Sequence, residues 1–419
     1  MTSQPIDAHV GTAAGELALF GAPPAFAEPL YVGRPNIGDR ALLHARLDDI
    51  LDRRWLTNGG PYVEEFERRI AMLLGVRHVV AMCNATVALE IAIRAIGMTG
   101  EVIVPSFTFV ATAHALQWQQ ITPVFCDVDP ATHNIDPDRV EALITPRTTG
   151  IIGVHVWGRP CDTRALAEIA ARRRLHLLYD AAHAFGNSCG GRMIGNFGDA
   201  EVFSFHATKF INSGEGGAVV TNDDDLAARM RLMRNFGFAD YDDVVYVGTN
   251  GKMSELSGAM GITSLESMDA IVATNHAHHA AYARGLDGLP GISLAMFADD
   301  ERSNHQHVVI EVDEAASGLS RDMLRDVLHA ENVIARRYFH PGCHRMEPYR
   351  SHFPHARLLL RETERLTDRV LSLPTGTAVH GDDVATVCEI IRRAVVDAPT
   401  VRHRLADAIP RRSPAHARR

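Results

Sequence analysis

The stretch "SFHATKFINSGEGGAVV", residues 204 to 220, sets Lys209 between an apolar run and a glycine cluster, in a chain that otherwise favours arginine heavily. A lysine amine in such a place can condense with a carbonyl group or carry a proton. Earlier, "YDAAHAFG" ends an apolar run on Asp180, where a carboxylate can hold a cationic partner. Earlier still, "NAT" (84–86) stands at a strand-to-helix turn, and the backbone N–H groups of a helix N-terminus bind phosphate. Each feature also has a plainer use: Asp180 as a cap, Lys209 as a surface residue, Asn84 as a helix N-cap. Together they match one cofactor. Pyridoxal 5'-phosphate offers an aldehyde to a lysine, a ring nitrogen that a carboxylate keeps protonated, and a phosphate. The glycines of "GEGGA" let the backbone lie close to it.

These residues need elements to hold them. From about 80 to 225, short apolar runs alternate with helical patterns: "HVVAM", "EVIVP", "PVFCDVD", "GIIGVHVWG", "HLLYDAAHAFG", "AEVFSF" and "GAVVTND". Between two of them "DTRALAEIAARRR" is an amphipathic helix. Continuous apolar strands with helical crossovers predict a mostly parallel sheet covered on both faces. In such sheets ligands gather at the carboxyl ends of the strands. From Lys252 to about Leu286 the pattern is helical and long. The strand "QHVVIEV" (306–312), the helix "SRDMLRDVLHAEN" (320–332) capped by Ser320, and the helix "DDVATVCEIIRRAV" (382–395) form a smaller α/β unit. The expected divisions are an N-terminal segment (1–30), a large cofactor-binding domain (31–270), a small domain (271–400) and a disordered tail (401–419).

With 419 residues, 46% apolar and 22% charged, the composition is ordinary for a soluble globular protein, an enzyme or a binding protein. A net charge of −9 argues against a nucleic-acid surface. Six scattered cysteines without a CxxC pair, no signal-peptide pattern and no long apolar run lead to an expected cytoplasmic location.

The motifs "LTNGGPYVEEFE", "VPSFTFVATAHAL", "PVFCDVDPATHNIDP", "GIIGVHVWGRPCD", "YDAAHAFG", "SFHATKFINSGEGGAVVTND" and "GTNGKMSELSGAMG", in this order, resemble the DegT/DnrJ/EryC1/StrS family of sugar aminotransferases. The resemblance runs from about residue 16 to 395. It implies the aspartate aminotransferase-like fold (fold type I) and pyridoxal phosphate, with pyridoxamine phosphate as the intermediate form. It also implies a homodimer with shared active sites. Under it Lys209 condenses with the cofactor and moves protons, Asp180 pairs with the ring nitrogen, and His183 lies against the ring. Ser204, Ala85 and Thr86 bind the phosphate, Asn250 reaches the phosphate of the partner subunit, Phe109 stands near the ring, and Glu215 stands beside the site. Most members have Ser-Gly-Thr where this chain has Asn84-Ala85-Thr86, so the closest backbone approach is lost at Ala85.

"SFHATK", with His206, and "MRNFGF" (233–238) resemble the members that aminate carbon 4 of a nucleotide-linked 4-keto sugar, especially dTDP-4-amino-4,6-dideoxyglucose transaminases. L-Glutamate is the donor the family implies. His206 also reads as a hydrogen-bonded core histidine. Tyr338 and His340, in "RRYFHPGCHRMEPY", either touch the sugar or pack. Amination of a 3-keto sugar nucleotide or a keto-cyclitol stays open, as does a non-catalytic ligand-binding regulator. The histidines of "NHAHHAAYAR" (275–284) read as a polar helix face rather than a metal site. His305 and His307 read as surface or pocket lining.

Overall fold

The computed structural model describes residues 16–408. Its larger sheet has seven strands: β1 (His78–Met82), β2 (Glu101–Pro105), β3 (Thr122–Cys126), β4 (Thr148–Val154), β5 (His176–Asp180), β6 (Ala200–Ser204) and β7 (Gly217–Thr221). They lie in the order β1-β7-β6-β5-β4-β2-β3, and only β7 runs against its neighbours. Alternation along β1 sends Val80 and Met82 into one core with Ala88, Leu89 and Val202. Val79 and Ala81 go into the opposite core with Phe66, Ile70 and Phe203. Both faces are therefore buried, which is why these strands read as unbroken apolar runs.

The topology sets the site. Parallel strands deliver their carboxyl ends to one edge, so Asp180 and Ser204 arrive there at the ends of β5 and β6. Because β7 is reversed, its first residue, Gly217, arrives at the same edge, paired with both Met82 and Ser204. The helix Ala85–Ile96 starts just beyond β1, where the Asn84 side-chain oxygen accepts from Val87 N at 2.9 Å. Gly217 has to be glycine: a Cβ there would lie 2.5 Å from Ala85 N.

A smaller antiparallel sheet joins β8 (Ile292–Leu294), β9 (Val308–Val312) and β10 (Val370–Leu373). The helices Arg321–Ala330 and Gly381–Val396 and the end of the helix Met268–Leu286 cover it, through Leu324, Val327, Leu328, Val387, Ile391 and Tyr282. Ser320 caps the first of these helices, its hydroxyl accepting from Met323 N at 3.2 Å.

Several expected boundaries move. The segment before residue 31 is not separate. Leu17, Phe26 and Leu30 lie in the core of the smaller unit, and Leu30–Tyr31 pairs with Val333–Ile334. The divisions drawn at 270 and 400 fall inside the helices Met268–Leu286 and Ala398–Ala408. Residues 401–408, expected in a disordered tail, therefore continue a helix, and 409–419 lie outside the described residues. The long helical pattern after Lys252 is two helices, Glu255–Glu266 and Met268–Leu286, turning at Ser267. The supposed polar face is also corrected. His278 and His279 are buried, His278 Nδ1 lying 3.3 Å from Thr375 Oγ1 and His279 Nε2 donating to Ala295 O at 3.1 Å. Among the described residues no helix is long and apolar enough to cross a membrane.

Candidate active site

The floor of the site is the end of β5. Asp180 is buried, and its carboxylate accepts from Thr112 Oγ1 at 2.8 Å and from Ala182 N at 3.1 Å. Thr112 lies on the helix Val110–Gln117, which the chain enters directly from β2. Thr108 Oγ1 stands 3.0 Å from Thr112 Oγ1, so a short hydroxyl relay ends on the carboxylate, the charged and stronger acceptor. Desolvation raises the Asp180 carboxyl pKa, opposed by Thr112, Ala182 and the nearby Lys209.

Below it lies a fully buried pair. His155 Nδ1 accepts from Cys161 N at 3.0 Å, so its proton sits on Nε2 and donates to Glu201 Oε2 at 3.3 Å. The other Glu201 oxygen accepts from Gly195 N and Phe197 N, each at 2.7 Å.

Lys209 lies on the loop between β6 and β7. It is partly accessible, but the density of protein around it lowers its ammonium pKa to about 8, with Asp180 opposing. His183 is buried, and desolvation followed by the Lys209 charge holds its imidazole neutral. Its Nδ1 has no hydrogen-bond partner. The ring runs nearly parallel to Phe339 (5.8 Å, 11°) and Trp157 (6.2 Å, 15°), and lies 4.3 Å from His307. His307 Nε2 is likewise buried and unpartnered, and burial pushes that imidazole down to about 3.

Ser204 is buried at the end of β6, and Asn84, Ala85 and Thr86 stand across β7 from it. His206 is half-exposed, with Nδ1 2.9 Å from Thr208 Oγ1 and Nε2 3.7 Å from Glu215. It is thus not a core histidine, and Glu215 is exposed beside it.

Other sequence-predicted residues sit farther out. Phe109 is 57% exposed at the start of the helix Val110–Gln117. It shares an open groove of about 530 Å³ with Tyr338 and His340. Tyr338 packs on Phe339 and, edge-on, toward His307. His340 is tied into the smaller unit, Nδ1 lying 3.2 Å from Thr367 O and 3.5 Å from Arg321, which favours the packing reading. Asn250 is exposed on the loop that runs past Cys83, whose N–H donates to Gly251 O at 2.8 Å. Sequence reasoning missed Thr112 and Trp157. A threonine one turn into a helix that follows a parallel strand was the only available signal for the first.

The site fits pyridoxal phosphate. A lysine of lowered pKa, a buried carboxylate, a buried unpartnered imidazole nitrogen and a helix N-terminus converge at one sheet edge. Fold and site together define a pyridoxal-phosphate-dependent sugar aminotransferase. The chain belongs to the DegT/DnrJ/EryC1/StrS aminotransferase family, whose model matches residues 39–392. It is 36% identical over 365 residues to the dTDP-4-amino-4,6-dideoxy-D-glucose transaminase of Shigella dysenteriae, covering 87% of this chain and 99% of that one. The enzyme of the same name from Escherichia coli is 34% identical over 361 residues, covering 86% of this chain and 97% of its own. Among solved structures, DesI in the presence of its TDP-sugar product is similar with a TM-score of 0.88 and 54% identity, over 93% of this chain and 99% of that one.

Proposed function

We propose that this enzyme moves an amino group from an amino acid, L-glutamate, to the 4-keto group of a nucleotide-linked 4-keto-6-deoxyhexose. The observation that carries the reading is half-exposed His206, part of the "SFHATK" motif, beside Glu215 at the open side of the Lys209 loop. Relatives bearing the name dTDP-4-amino-4,6-dideoxyglucose transaminase support it.

When bound, pyridoxal phosphate supplies an electrophilic aldehyde and a ring that accepts the electron pair left by a departing proton. Asp180 would hold the ring nitrogen protonated, and its burial strengthens that pairing. The N-terminus of the helix Ala85–Ile96, with the Thr86 and Ser204 hydroxyls, would hold the phosphate. Lys209, with a pKa of about 8, has a usable fraction of neutral amine near neutral pH. Its Nζ can take the proton from the donor's α-carbon and hold it for return. The neutral imidazole of His183 adds no competing positive charge there.

A symmetric dimer is the proposed active unit. Its support is an exposed hairpin, Phe238–Asp240 paired with Asp243–Val244, that presents Phe238 (38% exposed) and Tyr241 (95%) and leads through Val247 (71%) to the exposed Asn250. Asn250 would serve the partner's phosphate.

The test begins with the visible spectrum of the purified, cofactor-loaded protein before and after L-glutamate. Bleaching of a Schiff-base band is expected, followed by amine transfer to dTDP-4-keto-6-deoxyglucose. Amination of a 3-keto sugar nucleotide or a keto-cyclitol instead would overturn the carbon-4 assignment. Lys209→Ala should show no Schiff-base band and no turnover; an active variant would sink the mechanism.

A further inference from the structure

The Lys209 loop lacks regular structure, so something must hold its backbone. Its anchors to the sheet are at the ends, where Phe205 N donates to Gly216 O and Ser213 N donates to Phe205 O, each at 2.8 Å. Between them the large unit contributes the Lys209 N–H bond to His206 O, at 2.8 Å, the Thr208 N–H bond to His206 Nδ1, at 3.2 Å, the Asn212 N–H bond to Ser264 Oγ, at 3.1 Å, and burial of the Phe210 and Ile211 side chains. A buried ring fixes the Phe210 Cα. The peptide planes on either side of that Cα can still rotate.

Both planes are held from outside. The Phe210 N–H donates to Gln306 Oε1 at 3.2 Å, and Phe210 O accepts from Asn36 Nδ2 at 3.2 Å. The Phe210 N–H shares its peptide plane with the carbonyl of Lys209. With the Lys209 N–H already held by His206 O, fixing this plane restrains ψ of Lys209, and so the direction in which the lysine Cα–Cβ bond points.

Each carboxamide is itself anchored. Asn36 is 5% exposed, and its Oδ1 accepts from Thr377 N and Thr377 Oγ1, each at 2.9 Å. Its backbone oxygen accepts from Asn212 Nδ2 at 2.9 Å. Gln306 Nε2 donates to the carbonyl of His183 at 3.3 Å. Three residues before Asn36, Gly33 has a φ of +76°, and a Cβ there would stand 3.2 Å from Thr208 Cβ. The strap from Leu30 to Asn36 thus touches both neighbours of Lys209. It starts as a strand on the smaller unit, and Gln306 stands two residues before β9.

We propose that Gln306 and Asn36 are positioning residues that clamp the two successive peptides following Lys209 and couple the seating of the smaller unit to the aim of the lysine amine. The inference rests on the reading of Lys209 as the cofactor lysine.

The test uses the full-length apoprotein with Asn36→Ala, Gln306→Ala and Gln306→Glu. Gln306 is partly exposed, so its variants keep the test alive if Asn36→Ala does not fold. Hydrogen exchange of the peptide spanning 206–213 should speed at least about fivefold in either alanine variant, because local opening sets the exchange rate. In Gln306→Glu the increase should be smaller than in Gln306→Ala, since a carboxylate oxygen still accepts from Phe210 while the bond to the His183 carbonyl is lost. Reductive methylation against pH reads the second effect. The chain has two lysines, Lys209 and Lys252, so Lys252 is an internal reference. The labelling midpoint of Lys209 should move up toward the ordinary lysine value in the alanine variants, while Lys252 stays put. Unchanged exchange and an unchanged midpoint in a folded variant overturn the clamp and leave the functional reading standing. A wild-type protein that forms no Schiff-base band with added pyridoxal phosphate would remove the functional reading instead.

Discussion

The floor and the rim of this site are built by opposite rules. On the floor, Asp180 has a partner for each carboxylate oxygen, and Glu201 beneath it is enclosed by two backbone N–H groups and His155. A buried carboxylate left unsatisfied would cost several kcal/mol, so each has to be fitted in this way. On the rim, His206, Glu215, Phe109, Asn250 and the hairpin around Tyr241 are exposed and sparsely bonded. The floor is complete within one chain. On the proposed reading, the rim meets what comes from elsewhere, the sugar nucleotide and a second copy of the chain. The contrast separates the chemistry, set by strand ends, from the choice of substrate, set by loops.

The largest effect should come from breaking the floor at its charge. Asp180→Asn removes the anion but keeps the shape. Cofactor binding should persist, while the single-turnover rate with L-glutamate falls on the order of 10³-fold, the scale of a lost contribution to proton transfer. An unchanged rate would remove Asp180 from the mechanism.

Next comes the lysine as a stability defect. Its folded pKa of about 8 lies below the ordinary lysine value of 10.5, so the apoprotein works against folding to keep Lys209 charged. Below pH 8 that cost is present in full. It declines as pH rises from 8 to 10.5 and is gone above, where the amine is neutral in both states. Lys209→Met should therefore stabilise the apoprotein by up to about 3 kcal/mol at neutral pH, with the gain vanishing by the upper end of that window. Denaturant unfolding at a series of pH values checks the sign; a gain that grows with pH would contradict it.

Part of this floor is legible in the sequence, though only from residues taken together, since Asp180 alone also reads as a cap and Lys209 alone as a surface residue. Asp180 and Lys209 stand out because a charged residue ending an apolar strand, or a lone lysine beside glycines, is costly without a use. The seven strands were legible because both faces are buried. Thr112, Asn36 and Gln306 were not, because a short polar side chain looks the same whether it faces water or holds a peptide. The N-terminal strap was hidden for another reason. It pairs Leu30–Tyr31 with Val333–Ile334, and just before it Ala18 N donates to Glu331 across 313 residues of sequence; no local pattern records either contact. His278 and His279 show the converse: a polar string on a helix gave no sign of which side is packed.

Thr112→Val tests whether the floor depends on its hydroxyl relay as well as its charge. The change keeps volume and removes one hydrogen bond to an ionised acceptor, worth about 1.5–3 kcal/mol. A slowing of roughly ten- to a hundredfold in the glutamate half-reaction follows from that energy. The direction with pH is also set. Thr112 holds the Asp180 pKa down against burial, so losing it should move the acid limb of the rate profile upward. A slower enzyme with an unmoved acid limb would mean that Thr112 only packs.

The rim should respond least, and differently. His206 and Glu215 are 3.7 Å apart with side chains 46% and 69% exposed, a geometry in which an ion pair contributes no more than about 1 kcal/mol. His206→Ala should therefore leave the glutamate half-reaction within about twofold and raise KM for the sugar nucleotide by up to about fivefold, the equivalent of 1 kcal/mol. Steady-state kinetics with each substrate varied separately reads both numbers. If the glutamate half-reaction falls as steeply as in the Asp180 variant, His206 belongs to the floor despite its exposure. The division between strand-built chemistry and loop-built selection would then have to be redrawn one residue deeper.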